Sequence, residues 1–424
     1  MTLPDLRFGY APRPEPTPGY DPAADARALI VAATPSPAQQ PIPGYQILDS
    51  LGPGQRYVVR IPEAWNGKLV VCGTPATRSE FANDATFSDF LLARGFAFAS
   101  SNKGIPYNAI LEPAEDAPDA QTLYRIPFDM PGVPRDTAVL RLGALSPRRI
   151  GVNTWHADLP GLIAAATEHV RSARGSVPRR TYAVGLSIGG GQVRWLLERH
   201  PELVDGGLEW ASVYWHPSEN ILTYLPAFLR NMPAYLSSRF ADTAAHAAIV
   251  AAGFPPDRRQ ADDARPSLWN DHYANLAPFY ADLTTFMFAR LLDPDTGQLD
   301  SLERRAAYVP SEAARETIAA FAHTGAIERP LIGITGDADV FITPQHNAAP
   351  YLTAVRAAGR SDRYWQYVVA GGTHVDAYAA FGYGLQAQLP FVWRAFDQLV
   401  SIVEDGARPP GAGTARLVHA PDEV

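Results

Sequence analysis

Residues 181 to 199 read TYAVGLSIGGGQVRWLLER, and this stretch restricts the fold more than any other. TYAVG is short and apolar, as a buried strand is, whereas GQVRWLLER spaces its apolar residues as a helix does. Between them lies Gly185-Leu186-Ser187-Ile188-Gly189, followed by Gly190 and Gly191. A strand that becomes a helix within so few residues needs small neighbours, because its backbone must fold tightly on itself. A serine at the centre of such a turn sits in a strained conformation with its hydroxyl projecting outward. The helix beginning beside it aims unpaired N–H groups, that of Ile188 first, and the positive end of its dipole toward the same point. The plainer alternative is a glycine-rich turn that only packs helix on strand; the flanking elements favour the reactive serine.

The rest of the chain predicts the sheet that such a turn belongs to. YQILDSLG and RYVVRIP, at 45–52 and 56–62, alternate polar and apolar residues as a half-buried hairpin does. LVVCG at 69–73 is continuously apolar and reads as a strand covered on both faces. FSDFLLARG at 87–95 predicts a helix ending at Gly95, FAFAS a further strand, and 158–173 another helix. DGGLEWASVYW at 205–215, PLIGITG at 330–336 and YWQYVVAGG at 364–372 are the remaining strands, with helices over 348–358 and 390–404. The predicted class is α/β, a mostly parallel doubly wound sheet with an inserted helical cap. Residues 1–44 are expected to form a proline-rich surface arm, 45–215 and 329–405 the core, 216–328 the cap, and 406–424 a fraying tail.

A serine hydroxyl needs a base, and the base needs an orienting acid. His374 follows the last predicted core strand in Gly371-Gly372-Thr373-His374, at the strand end where catalytic groups collect in open α/β sheets. His346 and His216 are held in reserve. Gly336-Asp337-Ala338-Asp339 follows the preceding strand; Asp339 is the expected acid, with Asp337 as competitor and a simple turn as the bland reading. The order Ser187, Asp339, His374 separates this arrangement from the two other known chain orders of the same triad. Cys72-Gly73-Thr74-Pro75 closes the first central strand, and the Thr74 N–H is the candidate partner of the Ile188 N–H in an oxyanion hole, Pro75 having no N–H. Trp215, His216, Tyr224 and Phe228 are candidates for lining a substrate pocket, with core packing an equal alternative.

Composition removes several classes. Formal net charge is −8, and no run of Lys or Arg is long enough to follow a phosphate backbone, so nucleic acid is not an expected partner. Cys72 is the only cysteine, which excludes an intrachain disulfide and a cysteine zinc site. No apolar run has the length of a membrane span, and the first twenty residues lack the basic start and apolar stretch of a secretory leader, so a cytoplasmic location is expected.

These motifs, in this order, resemble the α/β-hydrolase superfamily over residues 45–404. Within it, GLSIGGGQVRWLLERHPELVDGGLEW resembles a bacterial group related to 3-hydroxybutyrate-oligomer hydrolases and tannase or feruloyl-esterase-like enzymes, through Gly189-Gly190 and Asp205-Gly206-Gly207 with Trp210. The resemblance implies an α/β-hydrolase fold and hydrolysis of small-molecule carboxylic esters through an acyl-enzyme on Ser187, with no metal or organic cofactor. A serine peptidase or amidase is the alternative; it calls for acidic residues facing the pocket, with Glu219, Asp242, Asp262 and Asp263 as candidates. A non-catalytic binding protein on the same scaffold is the third reading.

Overall fold

The computed structural model describes residues 5–6, 42–52, 54–104, 123–125, 127, 138–141, 152–258, 268–271, 276–381 and 383–424. Nearly all of the proline-rich arm, and the cap acids Asp262 and Asp263, lie outside the described residues.

The apolar runs form the strands β1 (Ile42–Gly52), β2 (Gln55–Pro62), β3 (Lys68–Gly73), β4 (Ala97–Ser101), β5 (Arg180–Leu186), β6 (Gly206–Trp210), β7 (Leu331–Gly336), β8 (Tyr364–Val369) and β9 (Ala415–Val418). They lie in the order β1-β2-β4-β3-β5-β6-β7-β8-β9, with a two-residue strand, Asp5–Leu6, beyond β1. β2 runs antiparallel to both β1 and β4, and every pairing from β4 onward through β3 to β9 is parallel. In β3 the side-chain period of two splits LVVC between two cores. Val70 and Cys72 pack on one face, with Phe90, Phe396 and Leu399, and Leu69 and Val71 on the other, with Leu162, Leu197 and Val355. A strand with two covered faces has no use for alternation, hence the unbroken apolar run.

The helices that cover these faces are α1 (Asp89–Leu92), preceded by a π turn over Asp84–Ser88, α2 (Val152–Arg174) and α3 (Ile188–Arg199), then α10 (Ala348–Ala357) and α11 (Leu389–Glu404) near the C-terminus. Between β6 and β7 come α4 (Ile221–Ser237), α5 (Thr243–Ala251), α6 (Leu268–Asp271), α7 (Leu276–Leu292), α8 (Leu302–Ala306) and α9 (Glu312–Ala319). α4 starts on a capping box, in which Asn220 Oδ1 accepts from Leu222 N–H at 2.9 Å and Thr223 Oγ1 accepts from Asn220 N–H at 3.1 Å. These helices bury an apolar cluster of their own, including Leu225, Phe228, Trp269 and Met287, which joins the sheet domain through Ile188, Val213 and Phe341. No helix among the described residues is long and apolar enough to cross a membrane.

Three expectations need correction. The helix expected over 87–95 is a π turn followed by a single α turn ending at Leu92. The strand expected over 205–215 ends at Trp210, because Ala211 takes φ 46° and turns the chain out of the sheet. The tail expected to fray adds the edge strand β9 instead, with Val418 wholly buried and Val424 6% exposed. Its glycines serve the approach to the sheet: Gly413, at φ 72°, donates its N–H to Tyr364 O at 2.7 Å, and Trp365 Nε1–H reaches Pro409 O at 3.0 Å.

Candidate active site

Ser187 follows β5 and caps α3 with φ 60° and ψ −119°, a region that non-glycine residues occupy at a cost of about 1–3 kcal/mol. The surroundings enforce it. Ser187 N–H donates to Trp210 O at 2.8 Å, and Ser187 O accepts from Gly191 N–H at 3.1 Å and Val213 N–H at 3.2 Å. The glycines allow backbones to touch here. A Cβ on Gly185 would lie 2.3 Å from Gly189 O, and one on Gly189 would lie 2.0 Å from Gly73 O. The turn is thereby wedged between the end of β3 and the first turn of α3.

Asp339 leaves β7 on the second residue after Asp337 and is completely buried. Its Oδ1 accepts from Phe341 N–H at 2.8 Å and Ile342 N–H at 2.9 Å, and its Oδ2 faces His374 Nδ1 at 2.9 Å. A carboxylate only accepts, so Nδ1 carries the histidine proton and Nε2 is the basic nitrogen. Asp337 points the other way; its Oδ1 accepts from Gly371 N–H at 2.7 Å and from Arg258 at 3.3 Å. The loop carrying His374 is tied to α11: Gln388 Nε2 donates to Thr373 O, and Asp376 accepts from Gln388 N–H at 2.6 Å and Leu389 N–H at 3.0 Å. Burial pushes the Asp376 carboxyl up to about 6 against those two bonds.

Ser187 and His374 line one pocket of about 230 Å³, together with Ile188. Its far wall is aromatic: Tyr280 stacks on Phe341 at 4.1 Å, and Phe341 meets Tyr378 edge-on at 5.9 Å and His374 at 5.7 Å. Burial raises the hydroxyl of Tyr280 well above the ordinary tyrosine range and that of Tyr378 to about 12, so both remain neutral donors. A wider open groove of about 670 Å³ beside Gly253 and His346 contains none of Ser187, Asp339 or His374. Size alone does not select the site.

Thr74 is buried with its N beside α3, since a Cβ on Gly189 would lie 2.8 Å from it. Its hydroxyl donates to Ser101 O, and buried Lys103 Nζ donates to Thr74 O at 2.7 Å. The residues of this loop that reach the pocket are Pro75, Ala76 and Arg78. The four pocket candidates are misplaced. Trp215 packs on Phe288 and Phe321, both at 5.5 Å, and Phe228 on Phe254 at 4.8 Å. Tyr224 donates its hydroxyl to Phe341 O at 3.2 Å and stacks on His346 at 4.6 Å, while His216 is exposed and bonds Ser218. The chain leaves β6 away from the pocket, and of α4 only Ile221, at its start, faces it; among the described residues most of the helical wall comes from α7, through Tyr280, Leu283, Thr284, Met287 and Phe288. His346 donates Nε2–H to Ala252 O at 2.7 Å, which removes it as a base for Ser187. No cluster of three or more His, Cys, Asp or Glu able to hold a metal occurs among the described residues.

No protein-family model and no curated protein matches the chain. Solved structures do match. Feruloyl esterase B from Aspergillus oryzae superposes with a TM-score of 0.54 at 12% identity, over 90% of this chain and 85% of that one. An esterase from Aspergillus oryzae gives 0.50 at 12% identity, over 87% and 81%. An acylaminoacyl peptidase from Pyrococcus horikoshii gives 0.44 at 11% identity, over 85% and 41%. The strand order, the strained serine between β5 and α3, and the superpositions on the two Aspergillus enzymes agree: this chain has the α/β-hydrolase fold.

Proposed function

We propose that the protein is a serine hydrolase of carboxylic esters, with Ser187 as nucleophile, His374 as base and Asp339 as its orienting acid. The observation that carries this reading is the 2.9 Å bond between Asp339 and His374 Nδ1, which leaves Nε2 as the basic nitrogen of a ring that lines the same pocket as Ser187. His374 Nε2 takes the hydroxyl proton as Ser187 Oγ attacks the ester carbonyl. The N–H groups of Ile188 and Thr74 hold the oxyanion, each worth a factor of about 10²–10³ in rate. His374 then protonates the departing alcohol, and water repeats the cycle on the acyl-enzyme. No cofactor takes part.

The fold serves ester and peptide hydrolysis alike and does not choose between them. Pocket chemistry favours esters. A peptidase that recognises a free amino end needs a carboxylate in the wall, and among the described lining residues there is no Asp or Glu. Glu219 instead faces His346 at 3.4 Å, and Asp242 caps α5. A pocket of about 230 Å³ under a helical cap suits small or oligomeric hydroxyacid or aromatic esters. The test is hydrolysis of p-nitrophenyl esters from acetate to decanoate beside aminoacyl anilides, with Ser187→Ala as blank. Ser187-dependent ester turnover with silent anilides is expected; preferential anilide cleavage moves the enzyme to the amidases. A fluorophosphonate that fails to label the native protein removes the hydrolase reading altogether.

A further inference from the structure

Behind the loop that follows β3 lies a buried cation that the chemistry above does not use. Lys103 comes two residues after β4, is 1% exposed, and takes φ 58°, a left-handed conformation that is unfavourable for a residue with a side chain. A buried ammonium needs partners. Lys103 Nζ donates to Thr74 O at 2.7 Å. Burial raises the nearby Asp158 carboxyl on α2, against a bond from the Ser101 hydroxyl and the Lys103 charge. Thr74 is held from other sides too: its hydroxyl donates to Ser101 O, and buried Asn83 donates Nδ2–H to Gly73 O at 3.3 Å. The Thr74 N–H is the exception, since Thr74 is wholly buried and this group has no acceptor among the described residues. Buried N–H groups are rarely left so.

We propose that Lys103 is a positioning residue whose bond to Thr74 O keeps the Thr74 N–H aimed at the oxyanion, a role that deepens the ester-hydrolase reading and rests on it. The peptide before Thr74 is planar and trans, so its C=O and N–H point in opposite directions. Asn83 on Gly73 O therefore sets the line along which the Thr74 N–H donates. Lys103 sets the peptide after Thr74, the one that joins it to Pro75. That peptide needs an anchor, because Pro75 brings no N–H to the loop and Ala76 beside it takes φ 39°. Without the anchor, strain at Ala76 relaxes by turning the Thr74 unit, in a loop whose Pro75 and Ala76 line the pocket with Ser187. A bond from an ammonium to a carbonyl is about twice as strong as one between neutral groups, which suits a clamp on a strained loop.

The aim of an oxyanion donor matters in the transition state and hardly in the ground state. Lys103→Met is expected to lower kcat for p-nitrophenyl butyrate about tenfold to a hundredfold with KM nearly unchanged, less than the factor of about 10²–10³ for losing a donor outright. Lys103→Gln, with a neutral donor, should retain part of kcat, and Lys103→Arg, with a charged one, more. Benzylacetone and its trifluoromethyl analogue separate the two states. Ser187 Oγ adds to the carbonyl carbon of the trifluoromethyl ketone, the hydroxyl proton passes to His374, and the carbonyl oxygen becomes the oxyanion. Its inhibition constant should rise in step with the fall in kcat, while that of benzylacetone stays. Should Lys103→Met fail to fold, Lys103→Gln against Lys103→Arg decides by the same two inhibitors. Unchanged kcat in the folded variants, or inhibition constants that rise equally for both ketones, overturn the role of Lys103, and native ester turnover then leaves the hydrolase reading standing. A native protein inert to both the ester and a fluorophosphonate overturns the hydrolase reading and the role of Lys103 with it, so the native enzyme alone tells the two failures apart.

Discussion

The Asp339–His374 pair and Ser187 each depend on one local device, and each device predicts a distinct defect. Asn at position 339 keeps the shape and one acceptor but presents an amide where His374 Nδ1–H now finds a carboxylate. Asp339→Asn is therefore expected to fold normally and lose about 10⁴ in kcat through the wrong histidine tautomer, measured as ester turnover beside an unchanged unfolding midpoint. Gly189→Ala acts differently, since its Cβ would fall 2.0 Å from a backbone oxygen, Gly73 O, which no rotamer change can move. Both stability and fluorophosphonate labelling should fall, whereas Gly359→Ala, with nothing within 4 Å of the added carbon and φ 70°, should cost only about 1 kcal/mol of backbone strain. A Gly189→Ala enzyme as active and stable as the parent would show that the turn does not need this close approach.

At the scale of elements, α3 and β6 are joined by a buried charged pair. Arg194 donates NH2 to Glu209 Oε1 at 3.0 Å, Tyr364 donates its hydroxyl to the same oxygen at 2.6 Å, and the guanidinium lies 4.0 Å from the centre of the Tyr351 ring. Removing one member strands the other charge in the core, so Glu209→Ala is expected to cost about 3–5 kcal/mol in urea unfolding. Arg194→Met/Glu209→Leu should recover most of that loss, because a well-packed apolar pair has no desolvation penalty. β9 supports a second prediction. Truncation after Asp405 uncovers one edge of β8 and the apolar surface beneath Val418 and Val424. Each buried valine contributes about 1.5–3 kcal/mol, so the shortened chain should unfold several kcal/mol earlier. An unchanged urea midpoint would mean that the edge strand adds nothing to the core.

For the whole molecule, acid is the informative stress. His156 on α2 is 1% exposed, stacks on Phe321 at 5.0 Å, and is held by burial at a pKa of about 3 in place of 6.5. In the unfolded chain it binds a proton below pH 6.5, whereas the folded protein resists protonation down to about pH 3. Its contribution is thus fully present above pH 6.5 and is lost as pH falls from there toward 3. Asp376 has the opposite sign: its raised pKa of about 6 favours the folded state in acid, and that contribution disappears as pH rises from 3.8 to 6. Urea midpoints between pH 7.5 and 4.5 should fall less in His156→Phe than in the native protein, with the two curves converging in shape above pH 6.5. Parallel curves over the whole range would show that His156 does not titrate on unfolding.

What was legible in the sequence follows from the range of the interactions involved. The elbow at Ser187 is a local matter of small residues between a strand and a helix, and the order of the proposed triad follows from strand ends that the apolar runs already mark. Asp339 and His374 were readable as candidates because each follows the end of its own strand, and parallel strands deliver their ends to one side of the sheet. The pocket was not readable. Tyr280 and Arg78 stand about two hundred residues apart in the chain, and their meeting depends on how α7 settles over the loop after β3; nothing in either segment encodes that. Trp215 and Phe228 show the converse, since an aromatic near a strand end fits a core or a pocket equally well until its neighbours are known. The tail failed for a related reason: composition counts glycines and prolines, but a strand edge forms only where a partner strand offers its free hydrogen-bonding groups. Local pattern by itself determined the strands, the strained serine and the order of the three proposed catalytic residues, because each rests on covalent neighbours. Only the tertiary structure decided the pocket wall and the last strand, because those depend on surfaces that come together after the chain has folded.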